Sequence, residues 1–213
     1  MNPSTSRSIA KQSLLALGAT AASSSGAIVH STVNAGEGIA VTPGNTIYLN
    51  VLTSTVSLAS ESAPGYQFQI SPIAGVTTNP AKFQVGHSNG STLGYTGVAQ
   101  KIEAGQLIDS SLTFTTTNFR SFTDGSTGGW SLGERGYYAF GIPNESATNY
   151  GWLELEFSGS TGTPQIKLLS YAYEDSGAGL IAGQTIPEPS APVLLTGCAA
   201  VFAARRRRKA MAA

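Results

Sequence analysis

Between residues 28 and 185 the apolar positions come in short bursts, separated by Gly, Pro, Asn and Asp, and no stretch of 12 or more residues keeps an apolar stripe at helical spacing. Eight bursts rich in β-branched and aromatic residues read as strands: Ile39 to Thr42, Thr46 to Leu52, Tyr66 to Ile70, Phe83 to Val85, Ser111 to Thr117, Gly136 to Ile142, Tyr150 to Phe157 and Gln165 to Tyr173. Such a series of short strands predicts an all-β fold, an antiparallel β-sandwich or jelly-roll-like domain. The best helical candidate, Val98 to Glu103, is brief and reads equally well as loop. The stretch from His87 through Asn89-Gly90 to Tyr95 reads as a loop or turn.

The clearest alternation lies in Tyr150 to Phe157. Successive side chains of a strand point to opposite faces, so Leu153, Leu155 and Phe157 are assigned to a core face and Trp152, Glu154 and Glu156 to the other. With Gly136 to Ile142 before it, a turn at Pro143-Asn144, and Gln165 to Tyr173 after it, this segment predicts a β-meander.

Both ends depart from this pattern. Residues 1–27 open with Arg7 and Lys11, continue through the apolar Leu14, Leu15, Ala16 and Leu17, and reach small residues with Ala19-Thr20-Ala21 as a cleavage box, the build of a secretory signal peptide. Residues 186–213 carry Pro187, Glu188 and Pro189, then 14 uncharged residues from Ala191 to Ala204, then Arg205, Arg206, Arg207, Arg208 and Lys209. The prolines hold their segment extended, because each fixes its own φ and disfavours a helical residue before it. As a helix, the apolar run reaches about 21 Å, less than the ~30 Å hydrocarbon core of a bilayer, and so suits a transient span better than a permanent anchor.

This order resembles the PEP-CTERM sorting signal of exported bacterial proteins. The resemblance implies a short transmembrane sorting helix at 191–204, Pro187, Glu188 and Pro189 as the sorting and processing motif, and Arg205 to Lys209 as the basic stop. An exosortase-type membrane protease is the implied processing partner. The precursor would sit in the inner membrane, and the mature protein in the cell envelope or extracellular matrix. The Tyr150-Gly151-Trp152 strand, followed by Ala172-Tyr173-Glu174 and then the tail, also resembles a group of PEP-CTERM surface proteins, which implies a shared extracellular β domain and supplies no catalytic residues.

Charge changes the picture once the ends are set apart. Seven of the 12 basic residues and one of the 12 acidic residues lie in the terminal segments, which leaves 5 and 11 and a net charge of −6 on the body. An acidic body with five scattered cations has no footprint for phosphate backbones, which argues against a nucleic-acid partner. Cys198, the single cysteine, falls in the apolar tail, so the body has neither disulfide nor thiolate metal site. Leu195-Thr196-Gly197-Cys198 has the look of a lipidation box but stands at the wrong end of the chain for one.

Candidate chemistry is sparse. Glu154 and Glu156 on one strand invite comparison with jelly-roll glycoside hydrolases, but the third carboxylate such sites use is missing, since Phe157, Ser158, Gly159 and Ser160 follow. His30 and His87, the only histidines, have no nucleophile motif beside them. Asp124 and Glu174-Asp175 form no calcium loop, and neither cofactor nor metal is expected. The sequence therefore points to a non-enzymatic surface or extracellular-matrix structural protein, associated with exopolysaccharide. A carbohydrate-binding module is the alternative, with Trp152, Glu154 and Glu156 as candidate contacts and Trp130, Tyr171 and Tyr173 as further stacking rings.

Overall fold

The computed structural model describes residues 26–59, 65–76, 80–88, 93–95, 101–115, 119–125, 129–145 and 147–186. Pro187, Glu188, Pro189, the apolar run and Arg205 to Lys209 lie outside the described residues, as do residues 1–25.

Fourteen strands run in chain order: β1 Ile28–Thr32, β2 Ile39–Val41, β3 Thr46–Asn50, β4 Thr55–Ala59, β5 Phe68–Ile73, β6 Lys82–His87, β7 Leu93–Tyr95, β8 Leu107–Ile108, β9 Phe114–Thr115, β10 Phe119–Thr123, β11 Glu134–Pro143, β12 Thr148–Gly159, β13 Pro164–Glu174 and β14 Leu180–Ile181. Every pairing between them is antiparallel. The larger sheet has the order β1-β13-β12-β11-β7-β9, with β2 also on β13; the smaller is β10-β6-β5-β3-β4, and β8 and β14 form a two-stranded ribbon.

The predicted meander is the centre of the larger sheet. Pairs Gly136↔Leu155 and Leu155↔Leu168 align β11, β12 and β13. At the β11–β12 turn the Asn144 amide donates to the Ala147 carbonyl, while the Asn144 side chain accepts from the Ala147 amide. The β12–β13 turn needs glycine at 159, where φ is +90° and an added Cβ would lie 2.4 Å from the Thr163 carbonyl oxygen. The pairing slips by one residue between Glu154 and Leu155, which leaves Leu169 as an extra residue in β13. Beyond that bulge β13 changes edge partner, from β1 at residues 170–174 to β2 at 166–168. The connection between β1 and β2 is a tight turn, with Asn34 and Ala35 in the left-handed region.

Alternation sends one face of each sheet into a shared core. Leu153, Leu155, Phe157, Ile166, Leu168 and Tyr171 from the larger sheet meet Ile47, Leu49, Phe68, Ile70, Phe83 and Val85 from the smaller, a sandwich-like arrangement around one apolar cluster. A second cluster covers part of the larger sheet's outer face: Ala139, Tyr150, Trp152 and Ala172 lie under Ile102, Ile108, Leu180 and Ala182.

Several local expectations change. Of Ser111 to Thr117, only Phe114–Thr115 is strand among the described residues. Within Val98 to Glu103, the described part is extended rather than helical: Ile102 exchanges both backbone hydrogen bonds with Tyr137 at 2.8 and 3.0 Å, continuing the edge of β11. His87 closes β6 and Leu93–Tyr95 is a strand, so the stretch read as a loop has strand at both ends. Strands β1, β4 and β10 carry too few strongly apolar positions to stand out in the sequence; pairing to a neighbour defines them.

Candidate functional site on the outer face of the larger sheet

The outer face of β11, β12 and β13 holds the residues singled out for chemistry. Register sets Arg135 beside Glu156, Tyr137 beside Glu154 and Ala139 beside Trp152, and across the other edge Glu156 beside Lys167, Glu154 beside Ser170 and Trp152 beside Ala172. The face is thus divided along β12. Trp152 stands in the apolar half under the cover, and Glu156 in the charged half.

Trp152 is 1% exposed. Its ring meets Tyr137 edge-on at 5.2 Å and His30 at 5.9 Å, and its indole N–H has no hydrogen-bond partner among the described residues. It presents no ring for stacking, which removes it as a candidate carbohydrate contact. Trp130, Tyr171 and Tyr173 are likewise buried, all three in the core between the sheets. The physical reason is shared: an apolar ring on a sheet face attracts a covering layer, here the β8–β14 ribbon with the chain around Ile102 and, on the inner face, the second sheet.

Glu154, the second candidate carbohydrate contact, is also largely covered. Its side chain is only 11% exposed. Oε1 accepts from Arg135 Nε at 2.9 Å, from Arg135 Nη2 at 2.6 Å and from the Tyr137 hydroxyl at 3.3 Å, and Oε2 accepts from Ser170 Oγ at 2.5 Å. Both oxygens are engaged, so the carboxylate clamps β11, β12 and β13 together at the boundary between the covered and open halves. Burial pushes the Tyr137 hydroxyl above its usual pKa, and the neighbouring Glu154 carboxylate adds to the rise, so it stays a neutral donor. Glu156 keeps partial exposure, flanked in register by Arg135 and Lys167.

The clamp makes a testable difference between the two glutamates. Glu154→Ala should cost about 1–3 kcal/mol, because Ser170 and Tyr137 lose their acceptor in a poorly solvated place. Glu156→Ala should stay within about 0.5 kcal/mol. Urea denaturation of both variants checks this, and equal small losses would show the clamp to be idle.

The histidines do not come together. His30 belongs to β1 on the outer face, whereas His87 lies in the inner layer, 2.7 Å from the Tyr138 hydroxyl through Nε2. The isolated carboxylates accept hydrogen bonds from backbone amides. Asp124 accepts from the Leu132 amide, Glu174 from the amide and hydroxyl of Ser176, and Asp175 from the Ala27 amide. Among the described residues no group of three His, Cys, Asp or Glu is placed to hold a metal ion.

Arg135, Tyr137 and Ser170, the partners of Glu154, were invisible as a set. Their positions in the sequence carry no motif, and only the register across three strands collects them. The fold and this face define an all-β antiparallel protein with one covered and one charged half-face on its larger sheet. No protein-family model, curated protein or solved structure matches the chain.

Proposed function

We propose that the chain is an exported bacterial surface or extracellular-matrix structural protein, a β-sandwich module associated with exopolysaccharide and sorted through its C-terminal signal. The observation that carries this reading is the order of Pro187-Glu188-Pro189, the uncharged run 191–204 and the basic cluster 205–209, directly after an acidic β body. On the resemblance to PEP-CTERM proteins, the precursor spans the inner membrane transiently, an exosortase-type protease cuts near the Pro-Glu-Pro motif, and the body remains in the envelope. Arg205 to Lys209 stay on the cytoplasmic side, which places the body outside.

The placement of the two ends supports this delivery. Ile28 and Leu180 pack in the same outer-face cluster, so the chain enters and leaves the body through one layer. A cut after Ala21 spares β1, whose pairing with β13 begins at Ile28. Among the described residues no helix is long and apolar enough to cross a membrane; in this reading it is the resemblance that assigns the span to 191–204.

Mass spectrometry of the protein from the extracellular fraction should find a C-terminus between Pro187 and Ser190. Replacing Arg205, Arg206, Arg207 and Arg208 with Ser should impair membrane retention of the precursor. Recovery of intact 205–209 peptides outside the cell would overturn the proposal.

A further inference from the structure

We propose that the outer face of the smaller sheet carries a binding site for a neutral saccharide, in the groove between Tyr48 and Tyr66 and the turn that joins β3 to β4. The groove encloses about 300 Å³, at the lower end of small-ligand sites. Its walls are Tyr48, Asn50, Thr53, Thr55, Ser57 and Tyr66, with Gly65 at one side. None of these is charged.

Register builds the floor. Tyr48 lies opposite Ser57 and Asn50 opposite Thr55, so four polar side chains form a compact patch on one face of β3 and β4, while Ile47 and Leu49 point into the core. Asn50 holds the walls in place rather than serving a ligand. Its Oδ1 accepts from the Leu52 and Thr53 amides at 3.0 and 3.1 Å, and its Nδ2 donates to the Gly65 carbonyl at 2.7 Å, which ties the β3–β4 turn to the chain entering β5. Tyr66 then sets its ring edge-on to Tyr48, centroids 5.0 Å apart.

The observation that points to a ligand is the Tyr48 hydroxyl. Tyr48 is only 5% exposed, yet its hydroxyl has no hydrogen-bond partner among the described residues. The sealed, unpaired side-chain polar atoms among the described residues belong to Trp130, Trp152 and Tyr171, so the Tyr48 hydroxyl is not sealed; it opens at the groove its residue lines. Ser57, directly across the strand pair, contributes a second hydroxyl without a partner among the described residues. A hydroxyl both donates and accepts, which matches the dual character of sugar hydroxyls. The half-buried Tyr66 ring supplies an apolar surface for the C–H face of a pyranose.

The lining also argues against other ligands. Phosphate and carboxylate ligands call for cationic partners, and cations for carboxylates, and among the described residues the walls hold neither. A purely apolar ligand would leave the two free hydroxyls desolvated and unpaired. An extended peptide would pair with the backbone edge of β4 instead of its hydroxyl-bearing face. The groove also lies on the opposite side of the two sheets from the outer-face cluster that holds Ile28 and Leu180.

The test is binding of the full chain, in mild detergent, to an array of neutral gluco-, galacto-, manno- and xylo-oligosaccharides beside uronic-acid, sulfated and sialylated ones. Binding to at least one neutral glycan is expected, weakened about tenfold or more by Tyr66→Ala through loss of its ring. Tyr48→Phe and Ser57→Ala preserve shape and should each weaken binding about fivefold, the size of one neutral hydrogen bond, with melting temperature unchanged. Binding only to anionic glycans, no binding to any neutral one, or binding indifferent to Tyr48→Phe and Ser57→Ala would overturn the proposal. This outcome is separate from tail processing, since either can fail while the other holds.

Discussion

Trp152→Ala is expected to cost about 3–5 kcal/mol, the range for deleting a large buried aromatic. The side chain is 1% exposed and stands at the centre of a small cluster, whose other buried members are Ile102, Ile108, Ala139, Tyr150, Ala172, Leu180 and Ala182. Among the described residues Ile102 ties the cover to β11 through its two backbone hydrogen bonds with Tyr137, whereas the ribbon is held more lightly. The β8–β14 ribbon pairs only Ile108 with Leu180 and Leu107 with Ile181, and two backbone hydrogen bonds tie residues 105 and 106 to Ala182. Removing the indole should therefore loosen the ribbon before it loosens the sheet, and amide exchange at 106–108 and 180–182 should quicken more than at 153–157. Trp152→Phe should lose less than the alanine variant, since it keeps a ring and deletes an N–H that lacks a partner. Chemical denaturation reads the total, and Trp130, then the sole tryptophan, reports on the inner core by fluorescence. A Trp152→Ala protein as stable as the wild type would mean that the ring is not covered in solution.

Phe83→Ala should be as damaging, at about 3–5 kcal/mol, but should act on the whole fold. Phe83 lies stacked on Phe122 at 4.7 Å, edge-on to Trp130 at 5.3 Å and tilted against Phe157 at 5.1 Å. These three come from β10, from the segment before β11, and from β12, so one ring joins both sheets and a loop. Each aromatic pair adds about 0.5–1.5 kcal/mol beyond the buried area, and these losses are not independent. Against a typical stability of about 5–15 kcal/mol, such a loss leaves a marginal protein. A single cooperative transition moved to much lower denaturant is the expected result; a loss under about 1 kcal/mol would show that the sheets are held chiefly elsewhere.

These variants differ in how far the sequence anticipates them. That Leu155 and Trp152 face opposite ways follows from period two alone, and the structure places them in the inner and outer clusters accordingly. What covers Trp152 does not follow from alternation. It depends on Leu180 and Ile108, which are distant in sequence and form strands of two residues each, too short for any periodicity to register. The engagement of Glu154 is hidden from the sequence for the same reason. Its neighbours Arg135, Tyr137 and Ser170 arrive from two other strands, and the bulge at Leu169 sets which residue of β13 faces it. The groove is more hidden still, because Tyr48 and Ser57 meet only through the register of β3 and β4, and Tyr66 reaches them from the chain entering β5.

By itself the sequence determined the all-β class, the central meander with the faces of its middle strand, the acidity of the body, and the absence of a thiol there. These are properties of local pattern and composition: side-chain direction in a strand repeats every two residues, and charge is a sum over positions. Only the tertiary structure decided which strands pair, which aromatic rings are covered, which carboxylate is a clamp and where unpaired hydroxyls gather. Those depend on contacts between residues far apart in the chain, fixed by the register and by which half of a sheet face finds an apolar cover. Burial is a property of two surfaces meeting, and a strand's own residues specify one of them.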